Sequence, residues 1–246
     1  VSHLGRDTTS MKTKLLIFSL TFIFISKMVS GQVIGFEQIE NSKVTPWNPK
    51  LIIEYQYVYH FGESEAESDL IITFGLDKEY AQIKSGKWSE NGQRWISHYE
   101  NLTNVRINGN KFYSDQTNGQ FVIYNNGQEK IKGLKVYKSW SGLTENDEYE
   151  IGIKSYSIDD YFNGEFTQAS KRLLSRNELL KIPKSDLKIM RNEIFARYGY
   201  KFKSGGKMER YFKSQDWYSG EHDNVNDFLT ELEKENILLI KQVEKI

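Results

Sequence analysis

Arg191, Asn192, Glu193 and Arg197 place two guanidinium groups, an amide and a carboxylate within the stretch 191–197. Glu193 precedes Arg197 by four residues, the favourable acid-first order for a helical ion pair. Such a set can grip an anionic or polar ligand through charge-assisted hydrogen bonds. It can equally tie helices together, since buried polar groups must be paired. Tyr198, Trp217 and Asn236 complete the candidate binding residues, with the internal network as the preferred role for the set.

Other chemistry is hard to place. The chain has no Cys, so it offers no thiolate nucleophile, disulfide or lipidated cysteine. His60, His98 and His222 show no i,i+4 pairing of the kind a zinc site uses. Neither a Gly-x-Ser-x-Gly elbow nor a phosphate-binding glycine loop is present. No catalytic residue, metal ligand or cofactor is therefore assigned. Asp and Glu are abundant enough for a two-carboxylate glycan hydrolase, but no spacing picks out the pair. The acidic runs at 63–69 and 145–150 lack the twelve-residue calcium-loop spacing and read as solvated loops.

The elements that must position the candidates are helical. Ser175 with Glu178 forms a capping box, and Leu174 with Leu179 has staple spacing. Pro183 separates this turn from a second helix, capped at Ser185 with Asp186 in its first turn. Leu187, Met190, Ile194 and Tyr198 recur at three- and four-residue steps, and Gly199 stands where a left-handed residue ends a helix. A short helix over 207–215 and a last helix from about Asp227 follow. Asn236 falls near the apolar side of the last helix and needs partners there, from Arg191, Asn192 or backbone.

Upstream the grammar is that of strands. Ile53, Tyr55, Tyr57, Tyr59 and Phe61 alternate with other residues, and shorter runs follow at 69–74, 93–99, 104–107, 121–124, 133–137 and 149–153. Asn108-Gly109 is the sharpest turn signal and predicts a type I′ hairpin; Asn126-Gly127 is a second turn. The expected fold class is α+β in two domains. An antiparallel β-sandwich or small β-barrel spans residues 32–168, and a small α-helical domain spans 172–246. The aromatic strands either fill the barrel or enclose a small apolar ligand. Trp47, Trp88, Trp95 and Trp140 are candidates for a sugar-stacking platform or for packing.

Residues 11–31 read as a signal peptide: Lys12 and Lys14, an apolar run from Leu15 to Ile25, then Val29-Ser30-Gly31 before Gln32. Residues 1–10 lie upstream of the expected start at Met11 and look like an over-called start or an expression remnant. Removing 1–31 takes Arg6, Lys12, Lys14 and Lys27 from 33 basic residues and Asp7 from 33 acidic ones, for a net charge of −3. That charge gives no general attraction to nucleic acid. The expectation is a secreted or periplasmic protein with no transmembrane segment once the leader is cleaved.

Leu187, Arg191-Asn192-Glu193-Ile194, Phe195-Ala196-Arg197-Tyr198-Gly199, Phe202, Tyr211-Phe212, Trp217-Tyr218 and Asn236-Ile237 occur in an order that resembles the YARHG domain. The resemblance covers residues 175–244. It departs at Phe195, which stands for the first Tyr of the signature, and at Tyr198, which stands for its His. It implies an exported module without an established activity, so a mechanism needing that imidazole has no counterpart here. The upstream β region is similar to what precedes such modules in exported Bacteroidetes-type proteins. The resulting expectation is a non-catalytic envelope or secreted binding protein whose partner is an envelope protein or a glycan. A periplasmic carrier of a lipid or other small molecule in the β domain is the alternative, and the two-carboxylate glycan hydrolase is the next.

Overall fold

The computed structural model describes residues 32–34, 37–142, 144 and 148–246. The expected leader and the residues before it lie outside these, as do Glu145, Asn146 and Asp147 of the second acidic run.

The chain folds into a mostly antiparallel curled sheet, a half-barrel, followed by helices. Its strands are β1 (Gln32–Ile34), β2 (Glu37–Ile39), β3 (Val44–Pro46), β4 (Tyr57–Phe61), β5 (Ser68–Phe74) and β6 (Glu79–Trp88). β7 (Trp95–Asn101), β8 (Arg106–Asn108), β9 (Lys111–Tyr113), β10 (Asn118–Asn125), β11 (Lys130–Tyr137) and β12 (Tyr149–Ser157) follow. The main path runs β7-β6-β5-β4-β12-β11-β10-β9-β8. β12 pairs with β4 on one side and β11 on the other, which joins the two halves of the strand region into one layer. β1 adds a parallel pairing with β12 at Val33 and Glu150.

The curl is visible in the core. Ile83 from one end of the path and Ile107 and Phe112 from the other share a single apolar cluster with Tyr59, Phe61, Phe121 and Leu134. Tyr55 stacks on Phe121 with ring centroids 3.7 Å apart, and Trp47 meets Tyr55 edge-on at 5.0 Å. The Tyr55 hydroxyl donates to the Trp47 carbonyl at 2.7 Å, and burial pushes its pKa up to about 12. Aromatic rings thus occupy the interior that an enclosed ligand would need. Trp47 and Trp140 belong to this packing, Trp140 against Phe61.

Two local expectations shift. Residues Ile52–Tyr55 form a 3₁₀ turn rather than the start of a strand, because the Glu54 carboxylate accepts from the Lys50 and Leu51 N–H groups and folds the chain back. In the β8–β9 hairpin Asn108 faces Lys111, so the turn residues are Gly109 and Asn110. Only Gly109 has positive φ, +58°, the pattern of a type II′ turn with glycine first instead of type I′.

The helices are α1 (Ile158–Tyr161), α2 (Gln168–Lys171), α3 (Arg176–Leu179), α4 (Lys184–Arg197), α5 (Lys207–Lys213) and α6 (Glu231–Val243). Ser175 Oγ caps α3 as its spacing implied. The cap of α4 is Pro183, two residues before the expected Ser185, where its missing N–H costs nothing. α4 ends in a Schellman motif: Tyr200 N–H donates to the Phe195 carbonyl and Gly199 N–H to that of Ala196, with Gly199 at φ +70°. The apolar stripe of α4 packs with Val225, Leu229, Ile237 and Ile240 in a second core.

This second layer sits on the outer face and edge of the β6–β7 hairpin. Ser97 N–H donates to Glu221 Oε2 at 3.0 Å, and His222 Nε2 lies 2.8 Å from the Ser97 carbonyl. Asn101 Nδ2 reaches the carbonyls of Asp227, Phe228 and Leu229. The edge of β7 is therefore covered by side chains rather than left open for pairing.

Candidate functional site

The signature residues of α4 meet the sheet across a cleft of about 170 Å³. Gln82 and Lys84 of β6 and Ser97 and Tyr99 of β7 form its floor. Ala196, Arg197, Tyr198 and Gly199 form one wall, Tyr161 to Asn163 another, and Trp217, Ser219 and Glu221 the rim. Alternation along the strands sends the floor side chains to the outer face, while Ala81 and Ile83 face the half-barrel core.

Arg197 is held from several sides. Its Nε donates to the Asn163 carbonyl at 2.7 Å, its Nη1 to Ser170 Oγ at 2.8 Å, and its Nη2 to Glu193 Oε1. The side chains of Arg197 and Glu193 are only 6 % and 1 % exposed, so the pair is an interior one. Glu193 also accepts from the N–H groups of Glu165 and Phe166 at 2.9 and 2.8 Å. Burial pushes the Glu193 carboxyl up from its ordinary value, opposed by Arg197 and by those two N–H groups. Burial also lowers the Arg197 guanidinium pKa, opposed by Glu193 and Glu233.

Tyr198, where the signature has His, is buried and projects to the sheet. Its hydroxyl donates toward Glu233 Oε2 at 2.7 Å and stands 3.2 Å from Gln82 Oε1. Glu233 accepts at Oε1 from Ser170 Oγ at 2.5 Å and at Oε2 from Thr230 N–H at 3.0 Å. Burial raises the Glu233 carboxyl pKa against those hydrogen bonds, and burial followed by the Glu233 charge holds the Tyr198 phenol well above its usual value. Ser170 bonds both Arg197 and Glu233, so the chain Asn163–Arg197–Ser170–Glu233–Tyr198–Gln82 runs unbroken from one cleft wall to its floor.

The remaining candidates are dispersed. Trp217 reaches the cleft rim. Arg191 makes a two-toothed pair with Glu244, its Nε and Nη2 donating at 3.0 and 3.3 Å, and so clamps α4 to the end of α6. Asn192 donates to the Lys188 carbonyl on its own helix. Arg191 and Asn192 border a separate surface depression with Phe195, Tyr200 and Asn224. Asn236 is buried and finds backbone partners around α2 and the approach to α3. It accepts from Leu174 N–H at 2.9 Å and donates to the Ala169 and Arg172 carbonyls at 2.8 Å each.

Sequence reasoning did not find the floor residues. β6 was absent from the expected strands, and Gln82, Lys84 and Ser97 carry no motif. Among the described residues no cluster of His, Asp and Glu has the arrangement of a metal site. No helix there is long and apolar enough to cross a membrane.

Residues 163–245 match the family model of the YARHG domain. The match begins at Asn163, whose carbonyl is the one Arg197 holds, and includes the backbone that Glu193 and Asn236 bind. No curated protein and no solved structure matches the chain.

Proposed function

We propose that this chain is an exported, non-catalytic binding protein whose ligand site is the cleft between the YARHG-like module and the outer face of the half-barrel. The carrying observation is that Ala196, Arg197, Tyr198 and Gly199, the heart of the signature, line a cleft whose floor comes from β6 and β7. Arg197 and Tyr198 act there as braces, with their polar atoms committed inward, while Lys84, Trp217, Ser219 and Glu221 face the ligand. The division into a strand domain over 32–168 and a helical module is kept as part of this proposal. The family match and the backbone bonds of Glu193 and Arg197 support counting residues from Asn163 onward with the module. Export is supported by the leader grammar of residues 11–31 and by the family match.

The cleft lining contains one carboxylate, Glu221, whereas paired-carboxylate glycan hydrolysis needs two facing the substrate. A carrier of an apolar molecule would have to displace Tyr59, Phe61 and Phe121 from the strand core. Neither alternative gains a specific observation.

The test is calorimetric titration of the full chain with a panel of short peptides and oligosaccharides, repeated on Ser219→Trp, which fills the cleft from an exposed rim position. Binding that disappears in the variant at unchanged melting temperature supports the cleft. Binding that is indifferent to Ser219→Trp places the site elsewhere.

A further inference from the structure

Leu51, Ile52 and Ile53 follow one another at the start of the 3₁₀ turn and are 65 %, 47 % and 47 % exposed. Hydrogen bonds fix the turn. Glu54 N–H donates to the Leu51 carbonyl and Gln56 N–H to that of Ile53, both at 3.0 Å, and the Glu54 carboxylate accepts from the Lys50 and Leu51 N–H groups. Its root is the buried Tyr55, stacked on Phe121, with its hydroxyl on the Trp47 carbonyl and its own carbonyl accepting from Tyr59 Oη at 2.9 Å. Order at the root does not require apolar side chains at the tip.

A 3₁₀ helix has three residues per turn, so three successive side chains leave it in three directions. They present no single flat face to a folded partner, whose contact would cover one side and leave the others in water. A fluid apolar medium closes around all three. A helical segment that is apolar on every side belongs in a core or in hydrocarbon.

The base of the turn is cationic. The β11–β12 register pairs Gly133 with Ile153, which sets Lys132 opposite Lys154 on the next rung. Both ammonium groups lie over the Trp47 ring, 4.7 and 5.2 Å from its centroid, and Lys154 Nζ is 3.7 Å from that of Tyr57. Like charges directly opposite each other weaken a sheet. The other cross-strand neighbours are uncharged: Ile123 beside Lys132 and Tyr59 beside Lys154. Burial and then Lys132 lower the Lys154 pKa, and Glu54 opposes them. With Lys50 at the entry of the turn, three ammonium groups share this end of the sheet with the Glu54 carboxylate. Glu129, at the β10–β11 turn beyond, has Lys130 next to it.

We infer that this end of the half-barrel docks on a lipid bilayer carrying anionic phospholipids, with Leu51, Ile52 and Ile53 in the acyl boundary and Lys132 and Lys154 at the phosphates. Lysine stems lie along apolar surface while their ammonium groups reach a polar layer, which suits two lysines resting on an indole. An anionic leaflet attracts lysines clustered near its surface. The docking surface is separate from the cleft and does not rest on it.

Co-sedimentation with vesicles of phosphatidylcholine alone, and of phosphatidylcholine with an equal part of phosphatidylglycerol, tests the inference. The protein is used from Gln32 on, because the apolar run from Leu15 to Ile25 would insert by itself. It should sediment with the anionic vesicles, and less so as salt is raised. Leu51→Asn combined with Ile52→Asn should weaken binding by about tenfold or more. Lys132→Gln combined with Lys154→Gln should remove the preference for anionic vesicles while melting no lower, since it relieves a like-charge pair. Circular dichroism checks the fold of both variants, and Ser219→Trp should leave sedimentation unchanged. No sedimentation with anionic vesicles, or sedimentation indifferent to the Leu51 and Ile52 substitutions, overturns the inference. Equal binding to both kinds of vesicle overturns the role of the lysines. A dimer in vesicle-free solution that those aliphatic substitutions convert to monomer, with no vesicle binding, would make the turn a contact between copies and overturn the inference as well.

Discussion

Tyr198 Oη lies 2.7 Å from Glu233 Oε2 and 3.2 Å from Gln82 Oε1, so one phenolic proton faces two acceptors. Gln82 cannot turn its amide to relieve this, because its Nε2 already donates to Asn101 Oδ1 and to the Phe228 carbonyl. Ionised Glu233 takes that proton; in the neutral form of Glu233 the acid instead donates to Tyr198 and Tyr198 to Gln82, which removes the conflict. Burial favours the same neutral form.

That arrangement predicts the sign of the pH dependence. The Glu233 pKa is raised on folding, so between its unfolded and folded values the native state holds more protons than the unfolded state. Stability therefore falls as pH rises through this window and is fully diminished above the folded pKa. Glu193, also raised by burial, acts in the same direction. Melting temperatures of the full chain should decline as pH rises above the ordinary carboxylate range. Glu233→Gln, which keeps the shape and cannot ionise, should flatten that decline. An equal slope in both proteins would show that Glu233 is already ionised across the range.

Arg197 should be worth far more to stability than a surface ion pair. Arg197→Met removes three hydrogen bonds and leaves the Glu193 carboxylate buried without its cation. Breaking one partner of such a pair costs about 3–5 kcal/mol. Adding Glu193→Gln to Arg197→Met should recover part of the loss, because the stranded charge is gone. Chemical denaturation of the two variants measures both steps, and a loss below about 1 kcal/mol would mean that the pair is solvated like a surface one.

Asn236 gives a cleaner measure of the packing of the module. It satisfies Leu174 N–H and two carbonyls that no neighbouring side chain replaces. Asn236→Leu is close in volume but leaves these groups unpaired, each at a penalty of about 1–3 kcal/mol. The expected result is a large drop in denaturation midpoint with no change in the charge of the protein. Amide exchange should rise first at Leu174.

The module was largely legible in the sequence because its signals are local: the Ser175 cap, the α4 stripe, the Gly199 stop and the spacing of Glu193 to Arg197. The strand region was legible where alternation separated a wet face from a dry one. It failed at β6, where Gln82 and Lys84 present polar atoms to the helical layer and Gly86 lies under the Trp95 indole, so neither face reads as a plain apolar repeat. It failed also at Ile52–Tyr55, where the alternation continues but the Glu54 carboxylate folds the backbone into a turn. The partners of Arg197, Tyr198 and Asn236 were beyond reach for one reason. They are carbonyls, or side chains distant in sequence, and nothing in a residue's type announces which carbonyl will face it.

Gly199 connects the helix stop to the cleft and can be tested by itself. At φ +70° an alanine costs about 1 kcal/mol over glycine. Its Cβ would also sit 3.0 Å from the Ser219 carbonyl oxygen and 3.2 Å from Glu221 Cβ, closer than these atoms pack comfortably. Relief requires the 219–221 segment to move outward, and Glu221 Oε2 and His222 Nε2 are what hold that segment to Ser97. Gly199→Ala should therefore lower stability by more than the backbone term alone, about 2 kcal/mol in total. It should also raise amide exchange at Ser97, whose N–H partner would be displaced. A loss confined to about 1 kcal/mol with Ser97 still protected would mean that the rim absorbs the methyl group without releasing the edge of β7.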